Sequence, residues 1–251
     1  MGKVLCLAWF TFVQGIKERF FAGLLILLLL AFLVSEYIGL LSLADPVRVV
    51  TDLSTSCISF LTLALTLFFA ITFLYKEREE GMLHLILSRP LSRSQYLMGR
   101  FAGFLLLLVP FLTLGFLLLY LMLLLFYGRG FPGLGWLGVA LFLQFSVVLA
   151  FAVLSSVFFS EQITALLATI SFYVVCQLSH QAALIVKQGG EAVAQRVTLL
   201  VERVLPSFAL YDPFEFSSAS AAYKATLLAY TALYVAAFLL MAAALLERKD
   251  I

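Results

Sequence analysis

Few side chains in this sequence have the chemistry of a catalytic or metal-binding site, and those few lie far apart. The cysteines and histidines stand singly, without Cys-x-x-Cys or His-Glu-x-x-His spacing: Cys6, Cys57, Cys176, His84 and His180. Metal sites and zinc enzymes need several such ligands brought together. The sequence therefore predicts no metal site, and it indicates that the cysteines act as small hydrophobic residues.

Nucleotide hydrolysis is excluded by a similar argument. A phosphate-binding loop needs Gly-x-x-x-x-Gly-Lys followed by Ser or Thr, because backbone N–H groups and the lysine must converge on the phosphates. The only Gly-Lys pair here is Gly2-Lys3, at the start of the chain. We expect that this chain binds no cofactor and is not itself an enzyme, so that ATP and Mg²⁺ would act through a partner subunit.

Two residues inside the apolar runs could serve a transport pathway. Glu36 is the only charged residue in any of these runs. It falls near the outer end of its run, where a carboxylate can reach water, and the alternative is a role in gating or substrate binding. Pro110 lies in the middle of the third run, where proline frees a carbonyl and kinks a helix, which fits an opening bundle as well as a static one. His180 is interpreted as a polar residue near the outer surface rather than a proton relay.

The composition indicates which elements must hold these residues. Apolar residues (AVILMFWYC) make up 64% of the 251 residues and charged residues 12%, whereas a soluble domain is about half apolar and a quarter charged. A water-soluble globular enzyme is therefore excluded. The apolar runs are too long and unbroken for a β-barrel, so we predict an all-α polytopic membrane protein surrounded by lipid. The net charge of +2 gives no indication of a nucleic-acid partner.

Six apolar runs are long enough to cross a hydrocarbon core of about 30 Å. They cover residues 20–43, 53–75, 101–127, 134–159, 162–186 and 225–246. No change of composition or internal repeat divides the chain, so residues 1–251 are predicted to form one transmembrane domain. Its parts are the N-terminal helix 3–19, spans one and two (20–75), the loop 76–100, spans three to five (101–186), the outer segment 187–223, and span six with its tail (224–251).

Basic residues predict on which side the chain ends lie. An even number of spans places both termini on one side, and Lys and Arg favour cytoplasmic flanks. With the termini inside, the inner segments hold ten of the 16 Lys and Arg residues and the outer segments six. We therefore expect cytoplasmic termini. Residues 3–19 predict an amphipathic helix in the inner membrane interface, with one apolar face formed by Leu5, Trp9, Phe12, Ile16 and Phe20.

The loop 76–100 reads KEREEGMLHLILSRPLSRSQYLMGR and is the densest run of charge in the chain. Gly81 allows a turn, residues 82–87 predict a short apolar helix, and Pro90 ends it. Ser92 and Gln95 have the spacing of a capping box that begins the next helix. A solvated loop would carry similar charges, but an exposed apolar helix on a charged rim indicates docking to another protein.

This loop resembles the signature loop of ABC-2 type transporter permeases. The resemblance is carried by the charged run 77–81, the Leu-rich stretch 82–87, the turn 88–93, and Gly99-Arg100, where the family typically has Gly-Lys. The layout is also similar, with an interfacial N-terminal helix, six spans, a short 160–162 connection and a longer outer segment before span six. Within the family, the sequence looks most similar to permeases of the nitrous-oxide-reductase maturation and gliding-motility kind.

The resemblance implies a permease of the cytoplasmic (inner) membrane of a prokaryote, driven by a separate ABC ATPase subunit. Residues 82–87 would be the coupling helix, and Ser160, Glu161 and Gln162 a smaller second contact. The family also implies a dimer, with a second copy or a homologous permease, that exports a substrate or extracts it from the membrane. The residues implied to contact the ATPase are Glu77, Glu79, Gly81, Met82, Leu83, Leu85, Ile86, Arg89 and Glu161.

The outer segment 187–223 is long enough to have a role of its own. Residues 193–204 predict an amphipathic helix that ends before Pro206, and an aromatic stretch follows at Phe208, Tyr211, Phe214 and Phe216. One interpretation is an interfacial helix and aromatic belt that anchor the bundle. The other is an outer gate or a docking site for an extracytoplasmic partner.

Two function classes follow from these observations. The first is an ABC permease that cycles with its ATPase. The second is a membrane scaffold or assembly subunit of a larger complex that does not cycle, and its loop would bind a partner without a P-loop. An ion-coupled carrier is disfavoured because the spans contain no buried charged pair.

Overall fold

The computed structural model describes residues 2–41, 45–72, 74–76, 93–128, 133–189 and 205–248. Every regular element in these ranges is helical, which confirms the all-α class. The helices are α1 (Gly2–Lys17), α2 (Arg19–Leu41), α3 (Pro46–Leu67), α4 (Arg93–Tyr127), α5 (Leu134–Phe158), α6 (Gln162–Gly189), α7 (Pro213–Ser218) and α8 (Ala221–Arg248). Helix α3 continues into a π-helical turn, Phe68–Thr72, and a 3₁₀ turn, Phe208–Tyr211, precedes α7.

The described residues contain six helices that are long and apolar enough to cross a membrane, as predicted. The spans are Arg19–Leu41, Pro46–Lys76, Ser94–Tyr127, Leu134–Phe158, Gln162–Ser179 and Ala221–Leu246.

The second span begins earlier than the predicted residue 53. Asp45 precedes the helix and Pro46 lies in its first turn, a position that suits proline because its missing N–H would have no partner there. The predicted spans 20–43 and 53–75 leave Arg48 and Asp52 in the connection between them, and this is wrong because both lie in α3. Their spacing places them one turn apart on α3, where their side chains form an exposed ion pair at 4.0 Å.

Helix α5 is the central helix of the bundle. Of its most apolar stretch, 72% is buried, against 17% for α8 and 28% for α6. It contacts α3, α4, α6, α7 and α8. Small residues such as Ala140, Ala150 and Ala152 are fully buried along it and let neighbouring helices approach closely. The outer faces of the less buried helices carry large apolar side chains, as expected where a helix meets lipid.

Helix α1 packs lengthwise against the first half of α4. Leu7 meets Gly99, Thr11 meets Gly103, and Gly15 meets Leu107, so contacts advance in the same direction along both chains. The two helices are therefore parallel. A Cβ added at Gly103 would lie 2.5 Å from Thr11 Cβ and 2.8 Å from the Ala8 carbonyl oxygen. Helix α1 can approach this closely because Gly99 and Gly103 of α4 have no side chains.

The apolar face predicted for residues 3–19 points away from the bundle. Leu5, Trp9 and Ile16 are 75%, 63% and 40% exposed, whereas Ala8 and Thr11 on the adjacent face are buried. The helix itself is confirmed, and its large apolar side chains are available to lipid. It runs parallel to the first half of α4. Its location in the membrane interface stays a prediction.

Candidate functional site

The C-terminal ends of α3 and α5 meet at one corner (Tyr75, Phe159 and Glu161). We call it the inner corner, after the side on which the sequence predicts it to lie. The Tyr75 hydroxyl donates to the carbonyl oxygen of Phe159 at 2.8 Å and lies 3.2 Å from that of Glu161. Beside it, Gln162 Nε2 donates to Thr72 Oγ1 at 3.1 Å. The short connection between α5 and α6 is therefore fixed to the end of α3, where residues 76–100 begin.

Thr72 belongs to the π-helical turn, Phe68–Thr72. Its Phe69, Ala70 and Ile71 are buried, and the Phe68 ring stacks on Phe20 with centroids 3.8 Å apart. π-helical turns inside α-helices occur frequently at functional sites, because they shift the side chains that follow by one position. The turn ends three residues before Tyr75, and its Thr72 takes part in the contacts beside the inner corner.

Arg100, at the other end of the same loop, is buried between α1 and α4. It is 1% exposed, and its Nη1 donates to Thr11 Oγ1 at 2.8 Å. Its guanidinium also lies 5.7 Å from the centre of the Tyr96 ring. The loop therefore begins beside the inner corner and ends on a rigid α1–α4 pair.

A cleft of about 1110 Å³ lies between α3, α5, α6 and residues 208–214. We call it the outer cleft, after the side on which the sequence predicts it to lie. One wall is the polar face of α3, with Thr51, Thr55 and Ser59, and another carries Gln144 and Gln177. A third wall is aromatic. Its rings are those of Phe60, Tyr173, Phe208, Tyr211 and Phe214.

Two polar groups in the outer cleft are buried with hydrogen-bonding capacity to spare. Thr55 is 5% exposed, and its Oγ1 has no hydrogen-bond partner. Gln144 is also 5% exposed, and its amide makes one long bond, from Nε2 to Gln177 Oε1 at 3.4 Å. Buried polar groups are normally satisfied, so these two groups mark a place where a bound molecule is expected to supply the partner.

The segment before α8 forms one side of the outer cleft. Phe208, Tyr211 and Phe216 are buried, so these rings pack into the bundle and do not form a belt at the interface. The Tyr211 hydroxyl hydrogen-bonds with Thr231 Oγ1 at 2.9 Å, and Tyr230 accepts the Ser207 N–H at 3.2 Å. Burial raises the pKa of Tyr211 to about 12, so its hydroxyl stays neutral at physiological pH. The predicted helix over 193–204 lies outside the described residues.

Comparison with known families decides what this bundle is. The chain matches the family model described as ABC-2 family transporter protein over residues 6–251. The chain belongs to the ABC-2 transporter family. Members are in general non-catalytic transmembrane subunits that work with an ABC ATPase, so this is a permease-type membrane subunit of an ABC transporter. No curated protein matches the chain.

The predicted ATPase contacts of this ABC-2 permease divide into two groups. Glu161 is described: it is exposed at the inner corner, next to the start of the 76–100 loop. The others lie outside the described residues, so their role stays a prediction. They are Glu77, Glu79, Gly81, Met82, Leu83, Leu85, Ile86 and Arg89.

Glu36 of the permease is buried, so the interpretation in which its carboxylate reaches water is wrong. The side chain is 7% exposed, and neither carboxylate oxygen makes a hydrogen bond. The Tyr127 hydroxyl faces it without a hydrogen bond of good geometry. Beside it, Ser35 Oγ and Ser54 Oγ are 2.9 Å apart and join α2 to α3. The gating role of Glu36 remains a prediction.

Helix α4 continues through Pro110 without interruption. Thr113 Oγ1 donates to the carbonyls of Val109 and Pro110, at 2.9 and 3.1 Å, and supports the backbone there. A role for Pro110 in opening the bundle remains a prediction. The side chain of His180 lies outside the described residues.

The outer cleft and the burial of Arg100 were not predicted from the sequence. A signal for the cleft was present, because Thr51, Ser54, Thr55, Ser56 and Ser59 recur in an otherwise apolar span. Hydroxyl groups grouped at helical spacing indicate a helix face that meets polar contacts rather than lipid. The signal for Arg100 was the pair Gly99 and Gly103, whose spacing marks a close helix contact.

Proposed function

We propose that this permease works as a dimer in the cytoplasmic membrane, with both termini in the cytoplasm. A separate ABC ATPase would drive it to export a substrate or to extract it from the membrane. The observation that carries this proposal is the inner corner, where Tyr75 joins the α5–α6 connection to the root of the 76–100 loop. The family match supports the ATPase as the partner in general terms.

The inner corner supports a specific route for coupling. A coupling helix at residues 82–87 and a second contact at Glu161 would both rest on one ATPase subunit. Because Tyr75 ties their supports together, movement of the ATPase would displace α3 and the α5–α6 connection as one unit. On the other side, the loop ends in α4, which carries α1 with it through the Arg100–Thr11 hydrogen bond. Closing of the ATPase dimer would thus switch the bundle between two packings.

The unequal burial of the helices is compatible with a dimer. Helices α2, α6 and α8 leave broad apolar faces unpacked, with 33%, 28% and 17% of their apolar stretches buried. Lipid covers such faces in any membrane protein, so their exposure is compatible with a dimer and leaves the partner helix open. Single cysteines are placed along α2 or along α6 and cross-linked, and the mass of the product shows whether two copies meet at that helix.

The experiment for the proposed ATPase contact changes the coupling helix. Leu83→Asp with Ile86→Asp places two charges on its apolar face, and we expect this double variant to lose the ATPase during purification in mild detergent. Leu91→Asp, in the same loop but beyond Pro90, is the matched control and should keep it. Retention of the ATPase by the double variant would contradict the proposal and favour the scaffold class.

A further inference from the structure

We propose that the outer cleft binds the substrate, and that the substrate is an amphiphile with an uncharged or cationic, hydrogen-bonding head group. This inference rests on the proposed transport function and adds the chemical class of the cargo. It is argued from the hydrogen-bonding capacity, the charge and the apolar lining of the outer cleft.

The head group is defined by the polar groups that are buried without full partners. Thr55 Oγ1 makes no hydrogen bond, although neighbouring Thr51 uses its hydroxyl on the Val47 carbonyl oxygen at 2.7 Å. The amides of Gln144 and Gln177 offer donors and acceptors beyond their single long bond. A ligand with hydroxyl, amine or amide groups would satisfy these atoms, and leaving them unsatisfied is costly in a buried place.

The charges at the cleft exclude an anionic head group. Among the described lining residues, three are carboxylates (Asp45, Asp52 and Asp212) and one is a guanidinium, Arg48. Arg48 is 82% exposed and is already paired with Asp52, so it offers little to a buried anion. A phosphate or carboxylate would meet no buried cation among the described lining residues, whereas an amine would be attracted by Asp45, Asp52 and Asp212.

The apolar part of the ligand is defined by the remaining walls. Leu63, Leu123 and Leu141 line the cleft beside the aromatic rings of Tyr173 and Phe208. A cleft of about 1110 Å³ exceeds the usual range for a drug-sized ligand, about 300–1,000 Å³, and so has room for a head group with part of a hydrocarbon chain.

Photolabelling of the full-length permease in phosphatidylcholine nanodiscs tests this inference. The probes are a diazirine-bearing long-chain amino alcohol and a diazirine-bearing fatty acid of the same chain length, and labelled peptides are mapped by mass spectrometry. We expect the amino alcohol to label α3, α5 and α6 at the cleft, in competition with excess unlabelled amino alcohol. Equal labelling of the cleft by the fatty acid would overturn the inference.

Variants of the two buried groups make the test specific. Thr55→Val and Gln144→Leu should each lower cleft labelling by about fivefold, the effect of one lost hydrogen bond of about 1 kcal/mol. Thr55→Ser keeps the hydroxyl that Thr55→Val removes, so it should label the cleft as strongly as the native chain. Thr113→Val is the matched control, because that hydroxyl bonds only to carbonyls of its own helix. Unchanged labelling in both cleft variants would overturn the inference. Copurification of the ATPase, measured on the same samples, reports separately on the proposed function.

Discussion

Arg100 is a cation placed inside the bundle, and Thr11 gives it a hydrogen-bond acceptor. The Thr11 hydroxyl donates to the Leu7 carbonyl oxygen and accepts from Arg100 Nη1, with both distances 2.8 Å. A buried charge is costly unless hydrogen bonds surround it, so this contact stabilises the attachment of α1 to α4. The hydroxyl thereby links the N-terminal helix to the end of the 76–100 loop.

Replacing Thr11 by Val should destabilise the permease. The change keeps the shape of the side chain but removes the acceptor of a charged donor, which costs about 1.5–3 kcal/mol in the free energy of unfolding. Thermal unfolding in mild detergent measures the effect. Thr113→Val is the control and should change the stability by less than about 0.5 kcal/mol. Equal stability of the two variants would show that Arg100 does not depend on Thr11.

Tyr75 is the residue on which the proposed coupling depends. Tyr75→Phe removes the hydroxyl that holds the carbonyl oxygens of Phe159 and Glu161 and leaves the ring in place. We expect the complex to assemble normally but to show severalfold weaker transport per ATP hydrolysed, because the two loop supports would move separately. Tyr37→Phe, on the exposed face of α2, is the control. Unaltered coupling in Tyr75→Phe would refute this role.

Glycine determines how closely α1 and α4 pack. Gly103 faces Thr11 and the Ala8 backbone, so a methyl group at this position can be accommodated only if the helices separate. We expect Gly103→Ala to destabilise the permease by about 1–3 kcal/mol and to release α1 to proteolysis.

The matched control is Gly23→Ala on α2, where an added Cβ has no atom within 4 Å. Alanine favours a helix over glycine by up to about 1 kcal/mol, so this variant should be as stable as the native chain or more stable. Limited proteolysis and thermal unfolding distinguish the two variants. A Gly103→Ala variant as stable as Gly23→Ala would contradict the close α1–α4 contact.

The elements could be predicted from sequence wherever apolar length alone decides them. The ends of the third and fourth spans fall within one residue of the predicted positions, because Tyr127 and Phe158 precede glycine-containing and polar turns. The start of α3 was misplaced because Asp45, Arg48 and Asp52 have the composition of a loop. The ion pair between Arg48 and Asp52 forms because the two residues are four positions apart on a helix, and amino-acid composition alone does not show this spacing.

The contacts between elements could not be predicted from the sequence. The inner corner joins Tyr75 to residues 84 and 86 positions away, and the Arg100–Thr11 bond spans 89 positions. Such pairs depend on how the helices are arranged around α5, which no local pattern specifies. For the same reason, Glu36 was expected to reach water although α2, α3 and α4 enclose it.

Under the proposed function, the whole molecule would be one half of a dimeric transport pathway, and a partner ATPase would supply its energy. The outer cleft, the inner corner and the α1–α4 pair are separate regions of one bundle, and the helices between them are continuous. This arrangement predicts that the permease is found in cells as a stable complex with a nucleotide-binding subunit.

Affinity purification of the tagged chain from its native cells in mild detergent tests this claim most directly. Mass spectrometry identifies what remains bound, and an ATPase assay is run on the eluate. The account predicts a stoichiometric P-loop subunit with ATPase activity. A clean preparation of the permease with no nucleotide-binding partner would contradict it.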